Sequence, residues 1–258
     1  MEPVLLDKDG PVAWLTLNRP EKRNALSLEL MRNILDKLKL IEHDPDIRVV
    51  LIRGSGPAFC AGHDLKEMVG ENLDAPHFHK IFSVCADMMQ TFFKLPQPVI
   101  AQVHGIATAA GCQLVAACDL AIAETGAQFS TPGVKIGLFC STPSVPLVRV
   151  VGRRRALEML LTGRFISAQE AERFGLINRI VTPDKLVEQA RKWAMEIAQY
   201  SRYTLAFGKR TFYDQVDLDT PSAYNIATHA IVINCLAEDA QEGMSAFLEK
   251  REPKWKNR

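Results

Sequence analysis

Two short segments of small residues could bring backbone N–H groups close to a ligand. Ala61–Gly62 directly precedes His63, and Ala109–Cys112 opens a predicted helix. Small side chains let the backbone approach a ligand closely, and a helix start adds the positive end of the helix dipole. We therefore expect both segments to accommodate a ligand atom that carries negative charge. Either segment alone is equally consistent with a tight turn or with close helix packing and no ligand.

Two side chains near these segments have the chemistry for proton transfer. His63 titrates near neutrality, as histidines do, and Cys140 stands beside Ser141 and Thr142. The alternative is structural: His63 is a hydrogen-bonded turn residue, and Cys140 is a thiol in the core. Both interpretations of each residue remain open at the level of sequence.

Metal, disulfide and nucleotide-loop chemistry are not indicated. The six cysteines form no C-x-x-C pair and lie in apolar surroundings, which favours reduced, mostly buried thiols over a disulfide framework. His77 and His79 have no third ligand nearby in the sequence, so we assign no metal site. No dinucleotide-binding glycine motif and no P-loop is present.

Composition excludes several classes of partner. The 258 residues include 31 Lys plus Arg and 30 Asp plus Glu, which leaves a net charge of +1 and no field to attract nucleic acid. The basic run Arg153–Arg155 is interpreted as a solvated helix start. No apolar run reaches the length of about 18 residues that spans a bilayer, so we expect no membrane partner.

The first half of the chain alternates strand-like and helix-like segments. Helical spacing of apolar residues begins after Ser27 and recurs over His79–Phe93 and Ala109–Cys118. Short apolar runs between them predict buried strands at Val12–Leu17, Ile47–Ile52, Pro98–Val103 and Asp119–Ala123. This alternation predicts an α/β core.

After about residue 143 the pattern becomes helical with little strand. The helical segments are predicted near residues 155–162, 167–174, 183–200, 202–214, 219–236 and 238–250. We expect a core domain over residues 1–200 and a helical C-terminal region over residues 201–258. Apolar residues from Leu205 to Ile233 exceed what a small helical cap would cover, which favours a role of this region in association.

Several motifs, in this order and spacing, resemble those of the crotonase superfamily of enoyl-CoA hydratases and isomerases. The resemblance covers nearly the whole chain. It is carried by NRPEKRNAL from Asn18, AFCAGHDLK from Ala58, HGIATAAGC from His104, PGVKIG from Pro132, GRFISAQEA from Gly163 and GMSAFLEK from Gly243. It implies a ClpP-like spiral of ββα units followed by a helical region, and assembly as a homotrimer or a dimer of trimers.

The resemblance also implies a site for an acyl-CoA thioester. Its oxyanion hole would consist of the backbone amides of His63 and Ala110, which stabilise an enolate on the thioester oxygen. Coenzyme A would enter as part of the substrate, with no separate cofactor. The implied coenzyme A contacts are Lys22, Arg23, Ala25, Ala61, His63, Asp64, Leu65 and Lys66, with Phe247 and Lys250 supplied by a neighbouring subunit.

Two positions depart from the pattern of the superfamily. Hydratases of this family use two glutamates, and the matching positions here are Gln113 and Gly133. Neither residue exchanges a proton at pH 7. Because general acid–base catalysis typically supplies about 10²–10⁴-fold per group, ordinary hydration is in doubt. Cys140 and His63 are the candidate replacements.

Three functions therefore remain open. The first is a hydratase or isomerase acting on fatty acyl-CoA thioesters. The second is another enolate reaction, with decarboxylation favoured because Gly62–Asp64 resembles the corresponding segment of methylmalonyl-CoA decarboxylases. The third is a non-catalytic acyl-CoA binding protein. The expected location is the cytoplasm for a bacterial protein, or the mitochondrial matrix for a eukaryotic one with a removed leader.

Overall fold

The larger sheet of the protein lies at the centre of the fold. A computed structural model describes residues 2–71 and 73–258. Six strands pair in the order β1-β2-β3-β4-β6-β9. Only the β1–β2 pair is antiparallel, and the other neighbours are parallel. These strands are β1 (Val4–Asp9), β2 (Val12–Leu17), β3 (Val49–Gly54), β4 (Val99–Val103), β6 (Leu120–Glu124) and β9 (Arg179–Val181).

A second, smaller sheet lies beside the helix that opens with small residues. It contains β5 (Ile106–Thr108), β7 (Gln128–Ser130) and β8 (Ile166–Ser167), in the order β5-β7-β8. The strand β5 leads directly into the helix α3 (Ala110–Ala117). The short sheet therefore sets the position of the start of α3.

Helices cover both faces of the larger sheet. The helices other than α3 are α1 (Leu28–His43), α2 (Ala75–Lys94), α4 (Ser141–Thr162), α5 (Ala168–Phe174), α6 (Leu186–Ala198), α7 (Arg202–Gln215), α8 (Thr220–Leu236) and α9 (Glu238–Glu249). One apolar core joins the sheet to α1, α2 and α3. A second core packs α6 on the other face, where Trp14, Leu51 and Ile100 meet Trp193.

Side-chain caps explain several helix boundaries. Ser27 caps α1 by accepting a hydrogen bond from the amide of Leu30, and Asp74 caps α2 by accepting from the amide of His77. Ser167 and Glu170 form a reciprocal capping box at the start of α5. Such caps satisfy amides that have no partner within the helix.

The predicted α/β core and helical C-terminal region are confirmed, with corrections in detail. The prediction of little strand after residue 143 is confirmed, although the sequence did not locate β8 and β9, which lie there and complete the two sheets. These strands have 2 and 3 residues, which is too short to show the alternation of apolar and polar residues that identifies a strand. The helix predicted from residue 155 begins at Ser141 as α4, in which Gly152 breaks the apolar period with a φ of 75°.

The C-terminal helices are tied to the core and to the chain end. The Nζ atom of Lys209 on α7 donates to Asp119 at 2.7 Å. The buried carboxylate of Asp239 accepts hydrogen bonds from the Ser201 hydroxyl and from the amides of Lys256 and Asn257. No helix within the described residues is both long enough and apolar enough to cross a membrane.

Candidate active site

The turn that carries His63 pairs with the predicted coenzyme A loop. The amide of Leu26 donates to the carbonyl of Gly62 at 2.7 Å, and the amide of Asp64 donates to the carbonyl of Leu26 at 3.0 Å. These two bonds use the groups on either side of His63. The N–H of His63 itself has no acceptor among the described residues, so it is available to a ligand.

The first residue of α3 lies against the same turn. A Cβ atom built on Gly62 would lie 2.9 Å from the Cβ of Ala109 and 3.4 Å from the nitrogen of Ala110. Only glycine permits this approach, and Gly62 also has a φ of 93°. Ala110 is the first residue of α3, where a helix amide has no intrahelical partner. The structure therefore brings the segments of His63 and Ala110 together, as the sequence predicts.

Strained backbone marks the entrance to α3. Ala109 has φ 51° and ψ −117°, a conformation that residues other than glycine rarely adopt. The surroundings hold it in place: its amide donates to the carbonyl of Ser130 at 2.8 Å, and its carbonyl accepts from the amide of Gln113 at 3.0 Å. Strain of this kind costs about 1–3 kcal/mol and tends to occur at functional sites. It sets the direction of the amides that follow.

The imidazole of His63 is largely buried. Its ring meets the ring of Phe82 edge to face, with centroids 5.2 Å apart. Burial lowers the pKa of His63 below its ordinary value, and the nearby carbonyl of Leu26 opposes this shift. The geometry of that carbonyl does not make a hydrogen bond, so neither ring nitrogen has a partner in the described part of the chain. The ring is a neutral group at pH 7 with two unused hydrogen-bonding positions.

Gln113 is a buried amide on α3. Its side chain is 3% exposed, and its Oε1 has no hydrogen-bond partner among residues 2–71 and 73–258. A buried carbonyl oxygen without a partner is costly, typically about 1–3 kcal/mol. The residue therefore offers an acceptor that a ligand group or a water molecule can use.

The position of Gly133 has no room for a side chain. A Cβ atom built there would lie 2.7 Å from the carbonyl oxygen of Leu138 and 2.8 Å from the Sγ of Cys140. The loop that leads into α4 thus fills the space that a glutamate side chain would need. Burial raises the pKa of the Cys140 thiol, and a backbone hydrogen bond from Gly133 opposes this shift. Cys140 is a protonated thiol at neutral pH.

The predicted coenzyme A residues fall into an exposed group and a structural one. Lys22, Arg23, Leu65 and Lys66 are exposed, and Ala25 and Ala61 are half-buried. The amide of Ala61 donates to the carbonyl of Arg23 at 3.0 Å, so the two segments form one surface. Asp64 accepts from the guanidinium of Arg19 at 3.3 Å and from the amide of Lys66 at 3.2 Å. Its carboxylate therefore holds the segments in place.

Phe247 and Lys250 lie on a different surface of the chain. Phe247 is 82% exposed on α9, and Lys250 ends that helix in the left-handed conformation. The helix α9 packs on α7 and α8. No described hydrogen bond joins either residue to the loop at Lys22 or to the turn at His63.

Sequence reasoning missed two residues that shape this site. Asn24 is fully buried, and its Nδ2 donates to the carbonyls of Ser55 at 2.9 Å and Ala58 at 2.8 Å. Arg19 donates to the carbonyl of Ala25 at 3.0 Å and to Asp64. The residue type of Asn24 is a signal that sequence reasoning can use. Asparagine adopts the left-handed backbone conformation more readily than most residues, and the φ of Asn24 is 55°.

We also searched the described residues for a metal site and for another cavity. Within the described residues, no group of three or more His, Cys, Asp or Glu side chains is arranged to hold a metal ion. A cavity of about 740 Å³ lies between the end of α2 and α7, and none of the predicted site residues lines it. We therefore place the candidate chemistry at the turn of His63 and the start of α3.

Comparison with known proteins shows the class to which this fold and site belong. The family model described as enoyl-CoA hydratase/isomerase matches residues 7–258. The chain therefore belongs to the enoyl-CoA hydratase/isomerase family, and the resemblance drawn from the motifs is confirmed.

Individual relatives agree with this assignment. The mitochondrial enoyl-CoA hydratase domain-containing protein 3 of Rattus norvegicus is 45% identical over 248 residues, which is 96% of this chain and 82% of the relative. The chain also superimposes on the crystal structure of the enoyl-CoA hydratase of Mycobacterium smegmatis with a TM-score of 0.95 and 46% identity, covering 98% of both chains. The crystal structure of human enoyl-CoA hydratase domain-containing protein 3 gives a TM-score of 0.95 and 43% identity, covering 98% of this chain and 100% of that one.

Proposed function

We propose that the protein binds acyl-CoA thioesters and stabilises a thioester enolate with the backbone amides of His63 and Ala110. The observation that carries this proposal is the contact between the two segments, in which Gly62 lies against Ala109 and Ala110. The amide of His63 has no acceptor among the described residues, and that of Ala110 has none within its helix. Donors held in this way are typically worth about 3–4 kcal/mol each when charge develops on an oxygen.

The exposed cations beside this site suit the other end of the ligand. Lys22, Arg23 and Lys66 surround the paired segments and are free to meet the phosphates of coenzyme A. Leu65, 48% exposed, offers an apolar contact beside them. Phe247 and Lys250 complete the coenzyme A site only from a second copy of the chain, so this part of the proposal rests on assembly as a homotrimer or dimer of trimers.

Ordinary hydration with two glutamates is not the reaction that we propose. Gln113 can orient a water molecule or a carbonyl through its unpartnered oxygen, but it cannot take up a proton. The position of Gly133 is closed by Leu138 and Cys140. With two proton-transfer groups missing, hydration of crotonyl-CoA should be slower than in a two-glutamate relative by at least about 10³.

Decarboxylation of a malonyl-type thioester is the second candidate, and the state of His63 favours it. Its ring is neutral at pH 7, buried, and has no partner for either nitrogen within the described ranges. Loss of carbon dioxide breaks a carbon–carbon bond and leaves the electron pair on the enolate, so that no carboxylate base is needed. The α-carbon would then take its proton from a water molecule held by the neutral imidazole, and the hydroxide that remains would combine with the released carbon dioxide as bicarbonate.

Three measurements on the intact protein separate these functions. Calorimetry with butyryl-CoA tests binding, and failure to bind would overturn the whole proposal. The loss of absorbance of crotonyl-CoA reports hydration, and a rate like that of ordinary hydratases would contradict the argument from Gln113 and Gly133. Release of carbon dioxide from methylmalonyl-CoA supports decarboxylation, whereas binding without any turnover leaves an acyl-CoA binding protein.

The cellular compartment follows from the relatives only by analogy. Several relatives are named as mitochondrial proteins. We therefore assign a role in acyl-CoA metabolism in the mitochondrial matrix if the source is eukaryotic, and in the cytoplasm if it is bacterial. Fractionation of source cells, followed by detection with an antibody, tests this assignment.

A further inference from the structure

A polar crevice lies at the carboxyl ends of the central strands, on the sheet face that α6 covers. Trp14, Leu51 and Ile100 form an apolar row across β2, β3 and β4 under α6. Two residues further along each of these strands, the side chains on the same face are polar: Thr16, Arg53 and Gln102. This row and the residues beyond it line an open cavity of about 440 Å³ beside Leu186, where α6 begins. Ligands of parallel sheets commonly bind outside the carboxyl ends of the strands.

Two buried polar atoms in this crevice lack partners. Gln102 is 4% exposed, and its Oε1 makes no hydrogen bond within the described part of the chain. The same is true of the buried hydroxyl of Ser55. Most buried polar atoms in proteins are hydrogen-bonded, and those that are not need an explanation. A ligand in the crevice would supply the missing partners.

Arg53 is fixed by Thr16 and Trp14, and its two terminal guanidinium nitrogens are available to a ligand. Its Nε donates to the Oγ1 of Thr16 at 3.0 Å, and its guanidinium carbon lies 4.6 Å from the centre of the Trp14 ring. The two terminal nitrogens have no protein partner among the described residues. A guanidinium fixed in this way is suited to a planar carboxylate, which it binds with two parallel hydrogen bonds.

The opposite side of the crevice accepts hydrogen bonds. Glu124, at the end of β6, uses Oε1 to accept from the amide of Gly105 at 2.9 Å, and its other oxygen has no described partner. The Nε2 of His104 lies 2.9 Å from the carbonyl of Gly56 and donates to it. Because β4 separates β3 from β6 and Glu124 lies two residues beyond Ile122, the partner of Gln102, the Cα atoms of Arg53 and Glu124 are about 12 Å apart. A second carboxylate or a phosphate at the Glu124 end would be repelled.

We propose that this crevice binds a small carboxylate that carries a hydrogen-bond donor at its other end. Arg53 takes the carboxylate, Gln102 and Ser55 contact the middle of the ligand, and Glu124 accepts from the donor. None of the predicted acyl-CoA residues lines the crevice, although the carbonyl of Ser55 accepts a hydrogen bond from Asn24 in the loop at Lys22. The proposal therefore stands independently of acyl-CoA binding.

The test uses 3-hydroxybutyrate as the probe and butyrate as its matched control without the hydroxyl group. Ligand-observed NMR titrations of the intact protein should give a Kd on the order of 1 mM or below for 3-hydroxybutyrate. Butyrate should bind about fivefold more weakly, because it lacks one hydrogen bond. Saturable binding that persists when coenzyme A is added supports a separate site. Displacement by coenzyme A, no saturation, or tighter binding of inorganic phosphate would overturn the proposal.

Variants locate the site. Arg53→Lys keeps the charge but loses the planar fork, and should weaken binding of 3-hydroxybutyrate about tenfold. Gln102→Leu, which is similar in volume, should weaken it about threefold while keeping the fold, and this variant decides the test if Arg53→Lys unfolds. Arg153→Lys, on the exposed surface of α4, is the control and should bind as the native protein does. Unchanged binding in both crevice variants would assign the probe to another site.

Discussion

At the scale of single residues, the position of Gly133 has no space for the glutamate side chain that the family resemblance would place there. The carbonyl of Leu138 and the thiol of Cys140 stand where a side chain would begin. Substituting a glutamate there would force the loop before α4 to move. The two-glutamate arrangement therefore cannot be restored by changing Gln113 and Gly133 alone.

Adding one methyl group at Gly133 should already destabilise the protein. For Gly133→Ala we expect the free energy of unfolding to fall by about 1–3 kcal/mol, because the new Cβ overlaps a backbone carbonyl. The matched control is Gly208→Ala in α7, where no described atom lies within 4 Å of the new Cβ. Alanine there should raise stability by up to about 1 kcal/mol. Urea unfolding measures both, and equal stability of the two variants would contradict the packing at Gly133.

The burial of His63 predicts a pH dependence of stability. Its folded pKa lies below the ordinary value of 6.5, so the unfolded chain binds a proton first as the pH falls. The contribution of His63 to stability is therefore constant above about pH 7 and declines as the pH falls through about 6.5, with a slope of at most about 1.4 kcal/mol per pH unit. In His63→Gln the decline between about pH 7.5 and pH 5.5 should be smaller. Urea unfolding at both values tests this, and identical declines would show that His63 is not buried as a neutral ring.

At the scale of elements, the proposed thioester site depends on the start of α3. Proline fits the first position of a helix but has no N–H. Ala110→Pro should therefore abolish butyryl-CoA binding, although the strained Ala109 before it adds a risk of local rearrangement. Thr220→Pro, at the first residue of α8 and after an extended residue, is the control and should bind normally. Calorimetry measures the affinity of both variants for butyryl-CoA, after circular dichroism has shown that both are folded. Equal affinity would move the thioester oxygen away from Ala110.

The helix α7 is joined to the sheet by a buried ion pair. The Nζ of Lys209 donates to Asp119 and to the carbonyls of Phe92 at 2.8 Å and Gln97 at 3.0 Å, and its side chain is 7% exposed. The hydroxyl of Tyr213, on the same helix, also donates to Asp119, at 2.8 Å. Burial lowers the pKa of Lys209, and Asp119 opposes that shift. This network is the main polar link between the C-terminal helices and the core.

Removing this ammonium group should loosen α7 from the sheet. Lys209→Met leaves the buried carboxylate of Asp119 without its cation and removes the Lys209 donor from the carbonyls of Phe92 and Gln97, so we expect a loss of about 3 kcal/mol or more in the free energy of unfolding. Hydrogen exchange should also become faster across α7. Lys192→Met, on the exposed face of α6, is the control and should change stability by less than about 0.5 kcal/mol. A similar small effect at Lys209 would show that the buried pair does not hold the helix.

At the scale of the whole molecule, the C-terminal helices expose more apolar surface than a monomer would carry. No residue of α8 is buried in the single chain. Its exposed apolar residues include Ile231, Val232, Ile233 and Leu236. An apolar surface of this kind usually marks an interface. It supports the proposed trimer and the supply of Phe247 and Lys250 by a neighbouring copy.

Charge on this surface should disrupt assembly. The native protein is expected to behave as a trimer or hexamer in light scattering at micromolar concentration, and Leu236→Glu should shift it toward the monomer. Leu40→Glu, on the exposed surface of α1, is the matched control and should leave the assembly unchanged. A stable native monomer would remove the support for a site shared between copies.

Local pattern was sufficient to predict most of the core elements. The strand Val12–Leu17 was predicted with its observed bounds, and the helices α1, α2 and α3 follow apolar residues at helical spacing. The strands β8 and β9 were missed because their position depends on pairing with distant strands rather than on their own few residues. Pairing across long sequence separation has no local signal.

The sequence by itself determined the family and the α/β class, and it singled out the two segments that we propose as donors of backbone amides. The expectation that Gln113 and Gly133 stand at the positions of the glutamates also comes from the sequence, because residue types are visible without coordinates. Only the tertiary structure decided that Gly62 lies against Ala110, that Cys140 closes the position of Gly133 and that both nitrogens of His63 lack partners in the described chain. These facts depend on distances between residues remote in sequence, and such distances are set by packing of the whole core rather than by any local pattern.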